Sequence, residues 1–317
     1  MPQLLKFSPI YRERVWGGHA LAERLGRDLP TGRPIGESWE IVDRPEAQSV
    51  VQQGAWAGRT IRELIAARSA EIMGPQWLAR KPFPILVKWL DCRERLSLQV
   101  HPPAHIAPAL GGEPKTENWY FVHTEPNAGV FAGLKTGVTP DQFAQAVLTG
   151  EVEPLLHRVE ARAGDSLLVP SGTMHAIDAG SVILEIQENS DMTFRTFDWG
   201  RMGLDGRPRE LHLPEAIACL AVAPVEPAHT VRSDLRDFTV ADCREFRIRR
   251  IELAAGETLA FSAGEQPRIL SVVAGSLLAP EASLACGENA LLPFVGQVEF
   301  AATAKTTVLV TENFAGN

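Results

Sequence analysis

The chain has 317 residues, enough for two domains or for one large domain with an appendage. With 45% apolar and 22% charged residues and a mean hydropathy of −0.05, it has the core-forming capacity of a soluble globular protein, which excludes intrinsic disorder. The formal charge of −8, from 31 basic and 39 acidic residues, argues against a nucleic-acid partner, whose footprint is a basic face, and provides no polybasic anchor for an anionic membrane.

The stretch from Met1 to Gly18 lacks the sustained apolar core and small-residue cleavage site of a signal peptide, and no apolar run reaches the length of a membrane span; this predicts a cytoplasmic protein. Short β-branched or alternating runs, punctuated by glycine and proline, predict a mainly β chain. They are Ser49–Gln52, Ile85–Leu90, Leu96–His101, Trp119–His123, Ser166–Val169, Val182–Gln187, Phe246–Leu253 and Thr306–Thr311. Three segments carry helical periodicity: Thr60–Arg68, where Ile61, Leu64 and Ile65 share a face; Asp141–Leu148, behind a Thr-Pro start; and Pro214–Ala221. Pro224 and Pro227 make Ala221–Ser233 the best domain boundary, giving residues 1–225 and 233–317 as the two expected domains. Cys92, Cys219, Cys243 and Cys286 are far apart, with no CxxC pair, and are expected to be buried reduced thiols.

Gly164-Asp165 followed by an apolar run to Pro170 recurs as Gly287-Glu288 followed by an apolar run to Pro293. The first copy continues to His175, whereas the second has Val298 at the matching place. Two related sandwiches, of which only the first kept the chemistry, would produce this pattern; so would any pair of β-turns. Runs closed by Gly-Asp and Pro-x-Gly turns suit a jelly-roll barrel, whose mouth commonly carries a ligand or metal.

Within Leu96–Pro102, a period of two puts Ser97, Gln99 and His101 on one face and Leu98 and Val100 on the other. Lys115, Glu117 and Trp119 share a face in the same way, and the turn after Pro170 delivers His175. Two imidazoles, a carboxylate and an amide form an N/O donor set for a divalent ion, zinc first, with manganese, cobalt or iron also compatible. Glu185 and Gln187 alternate with Leu184 and Ile186, so an apolar strand carries a carboxylate that is either a proton acceptor or half of a salt bridge. Arg195 and Arg201 are bidentate donors, either for a phosphate or oxyanion or for the protein itself. The indoles of Trp16, Trp39, Trp119 and Trp199 read as core rather than as a sugar-stacking platform. The chain contains no GxGxxG after a strand, GxxxxGK[ST], HExxH or GxSxG, which removes most support for nucleotide-dependent and serine-hydrolase chemistry.

VWGG at 15–18, IGESWE at 35–40, LSLQVHP at 96–102, KTENWY at 115–120, VPSGTMHAI at 169–177 and LEIQENSDMTFRTFDWGR at 184–201 together resemble the type I mannose-6-phosphate isomerases in their short bacterial form. The resemblance runs in order from about residue 10 to about residue 215. It implies a cupin jelly-roll barrel with short helical segments, followed by a second, metal-free cupin-like β-sandwich. The implied activity is a metal-dependent interconversion of mannose 6-phosphate and fructose 6-phosphate, usually with zinc. It further implies Gln99, His101, Glu117 and His175 as metal ligands and Arg195 as catalytic arginine. Ser97, Lys115 and Glu185 fall in the substrate pocket, Glu185 being the candidate proton shuttle, and Arg201 stands at a position that tends to be basic. Pro103 and Ala104 depart from the family pattern, so the loop to Gly112 is expected to differ in shape. The expected partner is a small sugar phosphate, with no nucleic acid, membrane or protein partner. The alternatives are an isomerase or epimerase of another sugar and a non-catalytic sugar-binding cupin.

Overall fold

Residues 4–220 and 230–316 are described by a computed structural model with 41% strand and 14% helix, the mainly β architecture predicted from the alternating runs. Most runs form strands close to their expected limits: Ile85–Cys92, Leu98–Val100, Glu117–Thr124, Ser166–Val169, Ser181–Glu188, Arg247–Leu253 and Thr306–Glu312. Ser49–Gln52 does not. Its Ser49 hydroxyl accepts from the Val42 amide at 2.9 Å, and Val50 and Val51 make only isolated bridges to Thr60 and Phe7. The helices Ile61–Ile72 and Pro140–Thr149 each begin at a capping box, Thr60 with Glu63 and Thr139 with Gln142, which satisfies amides that the first turn leaves without partners. Leu213–Leu220 is the third predicted helix, and Ala20–Leu25 is an additional short one.

The contacts divide the chain into two units whose limits differ from those expected for the two domains, 1–225 and 233–317. One unit joins the chain up to Ile10 and Trp39–Lys88 to everything from Arg232 onward; the other comprises Tyr11–Ser38 and Trp89–Val231. The early segments join the C-terminal one because they hydrogen-bond and pack with it. Leu5–Lys6 pairs with the strand Asn289–Leu292, the amides of Phe294 and Val295 donate to the carbonyls of Ile72 and Glu71, and the Phe83 ring meets Phe314 edge-on at 5.5 Å. Residues 221–229, the larger part of the expected linker and including His229, lie outside the described residues.

The second unit is a sandwich. One sheet runs in the order Leu156–Glu160, Gly129–Leu134, His175–Ile177, Leu98–Val100, Phe194–Phe197. The other sheet places Glu117–Thr124 between Ser166–Val169 and Ser181–Glu188. Trp119, Phe121, Leu167 and Ile183 of this sheet share one apolar core with Val130, Ala132 and Ile177 of its partner. The outer face of the first sheet, including Leu98, Val100, Phe131, Ala176 and Phe194, packs on Phe143 and Val147 of one helix and on Ala216 and Cys219 of another. Two-residue alternation therefore sends Gln99 and His175 inward.

The first unit is also built on two sheets. Its larger sheet has Thr306–Glu312 between Arg268–Ala274 and Arg247–Leu253, and its smaller one has Val298–Ala302 between Thr258–Phe261 and Ser276–Ala279. Both sheets supply side chains to one apolar core, which Val298 joins. No cluster of three metal-ligating side chains occurs in this unit among the described residues. All four cysteines are free; Cys92 and Cys219 are buried as expected, whereas Cys243 and Cys286 are only half-buried. Burial pushes the Cys219 thiol up to about 11, which keeps it protonated and inert at neutral pH.

Candidate metal centre

Three strands of the second unit converge on one buried cluster. His175 lies opposite Gln99 in the sheet register, and Gln99 lies opposite Arg195, so the three residues form a row across one sheet. Glu117 begins its strand in the facing sheet, opposite Gln187, while Trp119, two residues further on and on the same face, lies opposite Glu185. His101, Glu117 and His175 each offer a ligand atom, and these atoms all lie within 4.8 Å of one another. All three residues are at most 1% exposed, so water cannot neutralise them. The sequence had singled out these three together.

The protonation states follow from their neighbours. The His175 Nδ1 lies 2.8 Å from the Thr173 carbonyl, which can only accept, so this nitrogen carries the proton and Nε2 presents a lone pair. Nε2 faces Glu117 Oε1 at 3.3 Å. Burial lowers the His175 pKa against the opposing pull of Glu117, so the ring is neutral at physiological pH. His101, with Nε2 3.5 Å from Glu117 Oε2, is pushed down to about 3, first by burial and then by the Lys115 ammonium. Lys115 Nζ stands 2.8 Å from Glu117 Oε2 and 3.3 Å from His101 Nε2. Burial works against its charge, but Glu117 and then Glu185 outweigh this and raise its pKa. Glu117 stays ionised well below the usual carboxylate range: burial opposes its charge, and Lys115 followed by the two histidines overcomes that.

A neutral imidazole nitrogen pointing at a carboxylate oxygen, both buried, is two acceptors facing each other. A cation between such groups satisfies both, so the donor set fits a divalent ion. Gln99 adds an amide whose nitrogen is 3.2 Å from His175 Nε2; turned over, the same amide presents its oxygen there. Two imidazoles, a carboxylate and an amide, with no thiol, match a zinc-type N/O site.

The remaining expected site residues divide into two groups. Glu185 is buried and accepts from the Trp119 indole at 3.1 Å, so Trp119 is a core residue that also orients a site carboxylate. Ser97 is buried immediately before the Gln99 strand. Arg195 is half-buried, donates to the Glu210 carbonyl at 2.9 Å, and has an Nε without a hydrogen-bond partner; burial, then Arg209, lowers its pKa. Arg201 is engaged by the protein: it donates to Asp198 at 2.8 Å and to the Arg95 carbonyl. The departing loop closes into a short 3-10 helix, Ala107–Leu110, capped by Gly111 at a φ of 64°.

Sequence reasoning passed over two features. Arg14 forms a two-pronged pair with Glu37, at 3.1 and 2.9 Å, and its charge is felt at Arg195. Lys88 is a buried cation 5.1 Å from the Trp39 ring. A lysine inside Ile85-Leu86-Val87-Lys88-Trp89-Leu90 was the available signal for the second.

Comparison with known proteins agrees with this geometry. Residues 4–127 match the family described as phosphomannose isomerase type I, catalytic domain. The mannose-6-phosphate isomerase ManA of Bacillus subtilis is 37% identical over 261 residues, covering 80% of this chain and 81% of the relative. A crystal structure of the mannose 6-phosphate isomerase from Bacillus subtilis superimposes with a TM-score of 0.85 at 30% identity, over 98% of this chain and all of that one. The fold extends to a putative mannosephosphate isomerase from Archaeoglobus fulgidus, with a TM-score of 0.76 at 21% identity, covering 98% of each chain. The chain belongs to the type I phosphomannose isomerase family.

Proposed function

We infer that the protein is a mannose-6-phosphate isomerase, converting mannose 6-phosphate to fructose 6-phosphate and back at a single divalent ion, zinc in first place. The observation that carries this reading is the buried His101–Glu117–His175 cluster, with its lone pairs turned inward and Lys115 balancing the carboxylate, in a member of this family. An ion held by Gln99, His101, Glu117 and His175 would supply Lewis acidity toward the sugar's carbonyl and hydroxyl oxygens.

The reaction takes a proton from C2 of the aldose; the C–H electron pair becomes the C1–C2 double bond, and the carbonyl oxygen becomes an oxyanion. Return of a proton to C1, with the O2 proton passing to the O1 oxyanion, leaves the ketose. Glu185, buried and fixed by the Trp119 indole, is the candidate carrier of that proton. Lys115 stays charged through Glu117 and Glu185, and Arg195 has an unpartnered Nε; both are suited to a developing oxyanion or to the remote phosphate. Ser97 contributes a hydroxyl to the same pocket, while the engagement of Arg201 with Asp198 leaves it a secondary part in holding anionic substrate. Binding the phosphate orients the reacting carbons.

No helix among the described residues is long and apolar enough to cross a membrane, and the substrate class agrees with work in the cytoplasm. The test is a coupled assay with mannose 6-phosphate before and after chelation, with zinc, manganese, cobalt and iron restored separately. Activity abolished by chelator and restored by an ion is expected; inactivity of folded, metal-loaded protein overturns the reading.

A further inference from the structure

Strict alternation along Phe194-Arg195-Thr196-Phe197 would put Arg195 and Phe197 on the same sheet face. The register is different. Phe194 lies opposite Val100 and Arg195 opposite Gln99, but Phe197, not Thr196, lies opposite Leu98. Thr196 is thus an extra residue, a β-bulge, and it splits the pattern. Phe194 and Phe197 both reach the outer apolar layer with Leu98 and Val100, while Arg195 shares the inner face with Gln99.

A bulge can migrate along a strand unless its register is fixed. Here the chain just beyond it is tied to the neighbouring strand. Trp199 adopts a left-handed backbone, φ 58°, which L side chains rarely hold. Its indole N–H donates to the Leu96 carbonyl at 2.8 Å, and Arg201 donates to the adjacent Arg95 carbonyl. Asp198 braces the corner by accepting from Arg201 at 2.8 Å and from Arg209 at 2.7 Å. The Arg95 guanidinium lies over the Trp199 ring, 4.5 Å from its centre. Two successive carbonyls just ahead of the Leu98–Val100 strand that carries Gln99 are therefore held from the corner that follows Arg195.

We propose that Trp199 is a positioning residue: through its hook on the Leu96 carbonyl it holds the Thr196 bulge in register and so keeps Arg195 opposite Gln99. The inference rests on the reading of Arg195 as the catalytic arginine, and the experiment separates the two. Trp199→Phe removes the donor while keeping an aromatic ring beside Arg95; Trp199→Gly relieves the left-handed backbone but removes the hook and the ring. Both are compared with Arg195→Ala and with the Trp199→Phe/Arg195→Ala double variant in the full-length, metal-loaded protein, reading kcat and KM for mannose 6-phosphate together with bound metal.

Misplacing a catalytic group by about an ångström costs about ten- to a hundred-fold. That loss is expected in kcat for both Trp199 variants, with KM and metal content near the wild type. The double variant should be no slower than Arg195→Ala, because an arginine already displaced has nothing left to lose. Wild-type kcat in Trp199→Phe or Trp199→Gly, or multiplying losses in the double variant, overturns the proposal while leaving Arg195 catalytic. Wild-type kcat in Arg195→Ala instead overturns the role of Arg195, and the positioning role falls with it.

Discussion

Lys115 and Glu117 hold opposite charges where neither can reach water, so each sets the other's protonation. Glu117 is held below its usual 4.5, so its contribution to stability is complete above that value and is lost as pH falls through its folded pKa. Lys115 is raised above 10.5, so its contribution is complete below that value and is lost as pH rises past its folded pKa. The pair therefore stabilises fully between pH 4.5 and 10.5. Lys115→Met removes one partner of a buried pair and should cost about 3–5 kcal/mol across that window, measured by denaturant unfolding. It should also raise the Glu117 pKa, so that bound metal is lost at a higher pH than in the wild type. Identical metal-release profiles would mean that Lys115 does not hold Glu117 ionised. His175→Ala should lower bound metal and turnover together, with elemental analysis and the coupled assay as paired readouts. His101 and Glu117 were legible because a polar side chain repeating every second residue in an apolar strand demands a partner, and His175 because it follows the tight turn after Pro170. The Trp119 donation to Glu185 was not, because it depends on which strand lies beside which.

At the level of elements, local chemistry was readable wherever a short segment satisfies its own amides. Thr139 and Gln142 cap the helix that underlies the Leu98–Val100 sheet, so Thr139→Ala should cost about 1 kcal/mol in urea unfolding without altering kcat. The repeated Gly-acidic pair proves to be such a local device. Asp165 accepts from the Arg162 amide at 2.8 Å and Glu288 from the Ala285 amide at 2.7 Å, each three residues back and each after a glycine of positive φ. Gly256-Glu257 forms the same turn, Glu257 accepting from Ala254 at 2.7 Å. Three occurrences, two of them in one unit, mark a turn type, so the repeat by itself does not argue for duplication. The Thr196 bulge escaped the alternation rule because one additional residue breaks the period on which the rule depends.

For the whole molecule, the asymmetry between the units is chemical. The second unit gathers His101, Glu117 and His175 in one buried cluster, whereas the first has no such cluster among its described residues and places Val298 in its apolar core. Metal in hundredfold excess over its Kd adds about 2.7 kcal/mol to the state that binds it. Chelation should therefore speed amide hydrogen exchange in Leu98–Val100, Glu117–Thr124 and His175–Ile177 more than in Arg268–Ala274 and Thr306–Glu312. Equal acceleration in both sets would show that the ion stabilises the molecule as one cooperative block. The domain limits were not legible because the first unit is assembled from three separated stretches, and sequence proximity suggests only two.

That interleaving sets an order of assembly during synthesis. Tyr11–Ser38 and Trp89–Val231 have all been synthesised before the stretch from Arg232 onward, whose translation takes about 4–17 s at roughly 5–20 residues per second. The sandwich of the second unit can thus close first, while Leu5–Lys6 waits for its partner strand Asn289–Leu292. A nascent chain long enough for Val231 to have cleared the exit tunnel should then already protect Leu98–Val100, Glu117–Thr124 and His175–Ile177 from protease, leaving its earliest residues and Trp39–Lys88 as the vulnerable cargo of chaperones.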